Sequence, residues 1–177
     1  MEIEQAEDDY QVRGYATTFN PYVLYEDEAG KVYEQISRDA FQDAKMNDVI
    51  MQYDHYGTIY ARQTNGTLEI GVDDHGLYIK ADLSKTEASK QLYEQIKSGM
   101  ITKMSWAFTI APGGRTYDRV TRTIHINKVR EVLDVSAVSR PANDSTEITA
   151  RAFVNGLEEA ENRKKQRLEL LLKLGGY

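Results

Sequence analysis

Apolar and polar residues alternate at period two along much of this chain, and that pattern restricts it to folds built mainly from half-buried strands. The runs are YQVRGYATTF, GKVYEQI, DVIMQYDH, GTLEIGVDD, GLYIKADL, ITKMSWAFTI, TRTIHINKV and REVLDVSAVS. Turn signals separate them. DDHG joins two of the runs as a hairpin turn, with Gly76 supplying tolerance of positive φ, and Gly113-Gly114 marks a second turn or loop tip. Many short strands with such turns predict a sandwich or barrel.

Two helices interrupt this β unit. SRDAFQDAK (37–45) reads as a short helix with Ser37 as N-cap. The second follows Ser84: Ser84 and Glu87 have capping-box spacing, Ala88, Leu92 and Ile96 share a face, and Gly99 ends it. The β unit is expected to span 1–153 and a helical tail 154–177. In the tail, LEEAENRKKQRLELLLKL places acids before bases, which suits a helix macrodipole. Its leucines gather toward the C-terminal end, so it either docks on its own domain or pairs with another chain.

Composition narrows the chemistry. Of the 177 residues 41% are hydrophobic, enough for a packed core. The 28 acids outnumber the 22 bases, giving a net charge of -6, which argues against a nucleic-acid partner. There is no cysteine, so thiolate catalysis and disulfides are excluded, and three histidines make a histidine-rich metal site improbable. No apolar run is long enough to span a bilayer, and the acidic start MEIEQAEDDY is not a secretory signal. The chain reads as a soluble intracellular protein that needs no cofactor.

A hydroxyl nucleophile needs a base and a group to orient that base. In KMSWAF, Met104, Trp106 and Phe108 alternate with Ser105 and Ala107. A strand there sends the large residues to a core and turns Ser105 to an open face beside small Ala107. Such a serine is either a plain solvent-facing residue or a nucleophile with room for substrate. His55 ends VIMQYDH, where a strand gives way to a loop, while His75 in a turn and His125 in a strand read as structural. Asp134 lies in EVLDVSAV. Alternation puts Val132, Asp134, Ser136 and Val138 on one face, and Glu131 on the other. The Asp134 carboxylate either faces solvent or is buried with a partner such as an imidazole.

The collinear segments GYATTFN, EQISRDAF, QYDHYG with IYAR, DDHGLYIKADL, IKSGMITKMSWAF and EVLDVSAVSRPAND resemble the prohead protease family of tailed phages over roughly residues 12 to 151. The resemblance implies a mainly β fold with flanking helices (α+β), a small closed β-barrel like that of the herpesvirus assemblins. It implies a serine endopeptidase acting inside the immature procapsid, in the cytoplasm of the bacterial host. Its partners would be the major capsid protein with its scaffolding segment, and itself. By motif the nucleophile falls on Ser105 and the base on His55. The third member falls on Asp134, with Glu131 as the alternative, and Arg140 in SRPAND would stabilise the oxyanion. Two departures stand out: an acid, Asp54, precedes the histidine instead of following it, and Trp106-Ala107 replace the usual Phe-Gly after the serine. The competing readings are an idle structural or scaffold-binding barrel and an unrelated ligand-binding barrel.

Overall fold

The computed structural model describes residues 3–5 and 10–139. These belong to the first of two compact units, Met1–Asn143. The expected boundary at 153, the tail helix and Arg140 lie outside the described residues. In chain order the elements are β1 (Ile3–Gln5), β2 (Gln11–Thr18), β3 (Tyr22–Asp27), β4 (Gly30–Ile36), a 3-10 turn (Arg38–Phe41), β5 (Ile50–Tyr53), β6 (Tyr56–Arg62), β7 (Leu68–Val72), β8 (Gly76–Asp82), α1 (Glu87–Lys97), β9 (Lys103–Ile110), β10 (Arg115–Asp118), β11 (Thr123–Ile126) and β12 (Val129–Val138). The mainly β class follows from the period-two pattern. The strands form three four-stranded sheets, ordered β1-β2-β8-β7, β10-β11-β4-β3 and β6-β5-β12-β9. Each of these ladders ends in edge strands, so no closed barrel is formed among the described residues.

Alternation builds the core. In the first sheet Val12, Ile79 and Ala81 turn inward while Arg13 and Lys80, paired across the ladder, turn outward. Fully burying a Leu or Ile side chain stabilises by about 1.5–3 kcal/mol, and Leu24, Ile36, Leu77, Ile79, Leu83, Ile124 and Ile126 are all closed to solvent. Phe41 reaches Trp106 (ring centroids 5.4 Å), and Trp106 stacks on Phe108 at 3.8 Å, which ties the 3-10 turn to β9.

Local details differ from the sequence expectation for identifiable reasons. The predicted helix 37–45 shortens to the 3-10 turn because Lys45 is drawn into the ladder with β12, its N–H donating to the Arg130 carbonyl at 2.9 Å. Ser37 does not cap it; its hydroxyl bonds Asn127 Oδ1 at 2.8 Å. The N-cap of α1 is Thr86, which accepts from the Ser89 N–H at 3.0 Å, and not Ser84, whose own N–H is held by Asp82. Gly99 does end the helix, at φ +75°. Gly76 has no positive φ. It is needed because a Cβ there would lie 2.1 Å from the Thr17 carbonyl oxygen.

One buried acid shapes the pH response. Glu34 on β4 accepts a hydrogen bond from the Tyr22 hydroxyl, and burial pushes its carboxyl above the ordinary glutamate range despite the opposing pull of Tyr22 and Arg115. Burial, then the Glu34 charge, likewise raises the Tyr22 hydroxyl. A carboxyl raised in the folded state binds more protons folded than unfolded, so its contribution is full at low pH and is lost as pH rises through the folded value. Glu34→Gln keeps the acceptor for Tyr22 without the charge. Thermal denaturation against pH should show a flatter profile above the ordinary glutamate range, and a melting temperature at pH 8 no lower than wild type. A lower melting temperature with an unchanged slope would contradict this.

Candidate active site

The third sheet has one core face and one polar face. Met104, Trp106, Met51, Val135 and Ala137 are buried on the first. Cross-strand partners share a face, so the pairs Ser105–Ser136, Ala107–Asp134, Asp134–Ile50 and Ser136–Gln52 put Ser105, Asp134 and Ser136 together on the other. The sequence alternation therefore separates Ser105 from the large residues of β9 as expected. The face is not open, however. Ser105 is 0% exposed and Asp134 7%. The Ser105 hydroxyl also has no hydrogen-bond partner, a condition shared among the described residues only with Thr109. Leaving a buried hydroxyl unpaired costs about 1–3 kcal/mol, and a catalytic role is one of the reasons for which such a group is retained.

His55 sits in a two-residue hairpin between β5 and β6, with Tyr53 paired to Tyr56. Asp54 and His55 have φ of +49° and +58°, the sign a type I′ turn demands at both central positions. Asp and His are among the few side-chain-bearing residues that tolerate it. The turn swings the imidazole onto β12, where Nδ1 lies 2.7 Å from Asp134 Oδ1. The ring is only partly covered, with 20% of the side chain exposed. An ionised carboxylate only accepts, so opposite one Nδ1 is the donor, and in the neutral imidazole that leaves the lone pair on Nε2. Ser136 Oγ donates to the same Asp134 Oδ1, also at 2.7 Å. Sequence reasoning does not single out Ser136; its place two residues beyond Asp134 on one face is the available signal.

β12 is not a regular strand. Its ladder with β9 pairs Val132 with Phe108 and Asp134 with Ala107, skipping Leu133, which is 45% exposed. One extra residue reverses the parity of everything beyond it. Val132 thus leaves the face of Asp134, and Glu131, opposite Thr109, joins it. Both placements correct the simple alternation. Asp134 itself is buried and partnered, the second of the two settings its sequence allows.

Of the other sequence-marked residues, His75 lies between β7 and β8 with its ring against Tyr15 (4.4 Å), and His125 lies in β11 opposite Thr116. A cavity of about 760 Å³ opens on the outer face of the first sheet, lined by Arg13, Tyr15, Glu69, Asp73, His75 and Lys80 among others. It contains none of Ser105, His55 or Asp134, and Tyr15 and Asp73 in its wall bond each other. No helix among the described residues is long and apolar enough to cross a membrane.

In comparison with known families, the model of the caudovirus prohead serine protease matches residues 1–162. No curated protein and no solved structure gives a match.

Proposed function

The chain belongs to the caudovirus prohead serine protease family, and from that premise we propose that Ser105, His55 and Asp134 are the residues with which this serine protease cuts peptide bonds. His55 Nε2 takes the proton of Ser105 Oγ as the oxygen attacks the substrate carbonyl. The tetrahedral intermediate collapses as the imidazolium returns that proton to the leaving nitrogen, and water repeats the sequence on the acyl-enzyme. Asp134 fixes the tautomer and stabilises the imidazolium. Ser136 occupies a second donor position on Asp134 Oδ1 and so restrains the carboxylate. Arg140, one residue past the described part of the chain, is proposed to stabilise the oxyanion.

The observation that carries this reading is the 2.7 Å contact of His55 Nδ1 with Asp134, on the sheet face that also bears Ser105. The Ser105–His55 hydrogen bond is not formed in this conformation. Catalytic hydrogen bonds are commonly long or unformed without substrate and tighten when it binds. The proposed substrates are the major capsid protein with its scaffolding segment, and the protease itself, inside the immature procapsid within the host cytoplasm. Self-association through the segment beyond residue 153 belongs to the same proposal.

Incubation of the purified chain with its capsid protein, followed by intact-mass analysis, tests this. Discrete truncation of the capsid protein is expected with wild type, and none with His55→Ala. Truncation at equal rates by both would remove His55 from the mechanism.

A further inference from the structure

We infer that Asp54 is a positioning residue: its carboxylate latches the His55 turn onto the end of β12 and so places the imidazole. The inference rests on the reading of His55 as the general base.

Two consecutive side-chain-bearing residues with positive φ form an unfavourable turn, which persists only where its surroundings hold it. Here the hold comes from β12. The Asp54 N–H donates to the Ala137 carbonyl at 3.0 Å. Asp54 Oδ1 accepts from the Ser139 N–H and Oδ2 from the Ser139 hydroxyl, both at 2.9 Å. The imidazole of the next residue is fixed to Asp134 on that same strand. β12 and the residue that follows it therefore grip the base twice, at the ring through Asp134 and at the preceding residue through Ala137 and Ser139.

The far side of the turn offers little to replace this latch. Tyr56 is 85% exposed. The bond from Gln52 Nε2 to the Gly57 carbonyl closes the hairpin on itself without tying it to β12. Without the Asp54 carboxylate the hairpin keeps its strand pairing, but the imidazole is free to drift from Asp134. A displacement of about 1 Å at a reacting group costs about 100-fold in rate. Substrate contacts made elsewhere would be untouched. The latch also accounts for an acid standing before the histidine in this sequence: from that position the side chain meets Ser139.

Asp54→Gly removes the carboxylate at a position where glycine accepts positive φ, and Ser139→Ala, which leaves the backbone of the turn unchanged, separates the latch from the backbone freedom that glycine adds. With capsid protein as substrate, kcat should fall about 100-fold and KM should stay within about two-fold. Asp54→Asn keeps an acceptor for the Ser139 N–H and the tolerance of positive φ, and should recover activity to within about 10-fold of wild type. Ser139→Ala, which keeps the N–H bond and loses the hydroxyl, should fall between the two. If His55→Ala is inactive while Asp54→Gly keeps wild-type kcat, the latch is refuted and the base assignment stands. If His55→Ala itself remains active, the reading beneath the latch fails. Should Asp54→Gly not fold, Ser139→Ala decides alone: wild-type kcat in that variant would overturn the inference.

Discussion

Ser105→Ala is expected to lower the rate of capsid-protein cleavage by about a million-fold, the size of effect seen when one member of a catalytic unit is removed. The same change should leave the fold as stable as wild type or more stable. That second expectation comes from the structure. The Ser105 hydroxyl is fully buried and makes no hydrogen bond, so the wild-type fold carries a desolvation cost of about 1–3 kcal/mol that alanine does not. Alanine also adds no volume to a site packed opposite Ser136. A single substitution that abolishes cleavage and raises the melting temperature is the signature of a group retained for chemistry at the expense of stability. Cleavage rates and thermal denaturation of one preparation measure both. A variant that cleaves normally, or that loses several degrees, would show that Ser105 has an ordinary packing role.

Asp134→Asn is expected to cost up to about ten-thousand-fold, comparable to the loss of the orienting carboxylate in chymotrypsin-type triads. The amide turns an N–H toward His55 Nδ1, which moves the ring proton to Nε2 and removes the lone pair that Ser105 needs. Ser136 meets the same carboxylate oxygen as His55, so its hydroxyl turns from donor to acceptor opposite the amide N–H, a change that needs no movement of β12. Glu131→Gln is the control. The Leu133 bulge places Glu131 on the face of Asp134, so face alone does not separate them. What separates them is contact: Asp134 meets His55 Nδ1, while Glu131 pairs farther along β9 with Thr109. The control should therefore lose less than about three-fold, within the range of an ordinary surface substitution. A crippled Glu131→Gln beside a normal Asp134→Asn would move the acid to Glu131.

The sequence is most readable where side chains report burial directly. GKVYEQI and GLYIKAD alternate cleanly and form β4 and β8. β6 escapes sequence reading because its first four residues, 56–59, are all exposed and leave no alternation to see. β10 is four residues long, too short for a periodic signal. Other features depend on contacts between distant segments. The alternation of KMSWAF separates Ser105 from the core face but carries no information on what lies over it. The bulge at Leu133 has no composition of its own, and one skipped residue is enough to reverse the faces of Val132 and Glu131. Gly76 is required, but not for the turn conformation its sequence suggests, since the Thr17 carbonyl that crowds it comes from another strand. At the site, His55 and Asp134 are marked separately by their settings and by family resemblance. The resemblance also implies their pairing; the hairpin that brings it about, and the contacts of Ser136 and Asp54, are not legible in the sequence.

The most direct test of the nucleophile assignment is covalent trapping. Wild type and His55→Ala are treated with a serine-directed fluorophosphonate, digested with trypsin and mapped by mass. Residues 104–115, MSWAFTIAPGGR, form one tryptic peptide with Ser105 as its only serine. The adduct is expected on that peptide in wild type and at strongly reduced yield in His55→Ala, because the attacking oxygen depends on the base. An adduct on a different serine, or equal labelling of Ser105 with and without His55, would contradict the account.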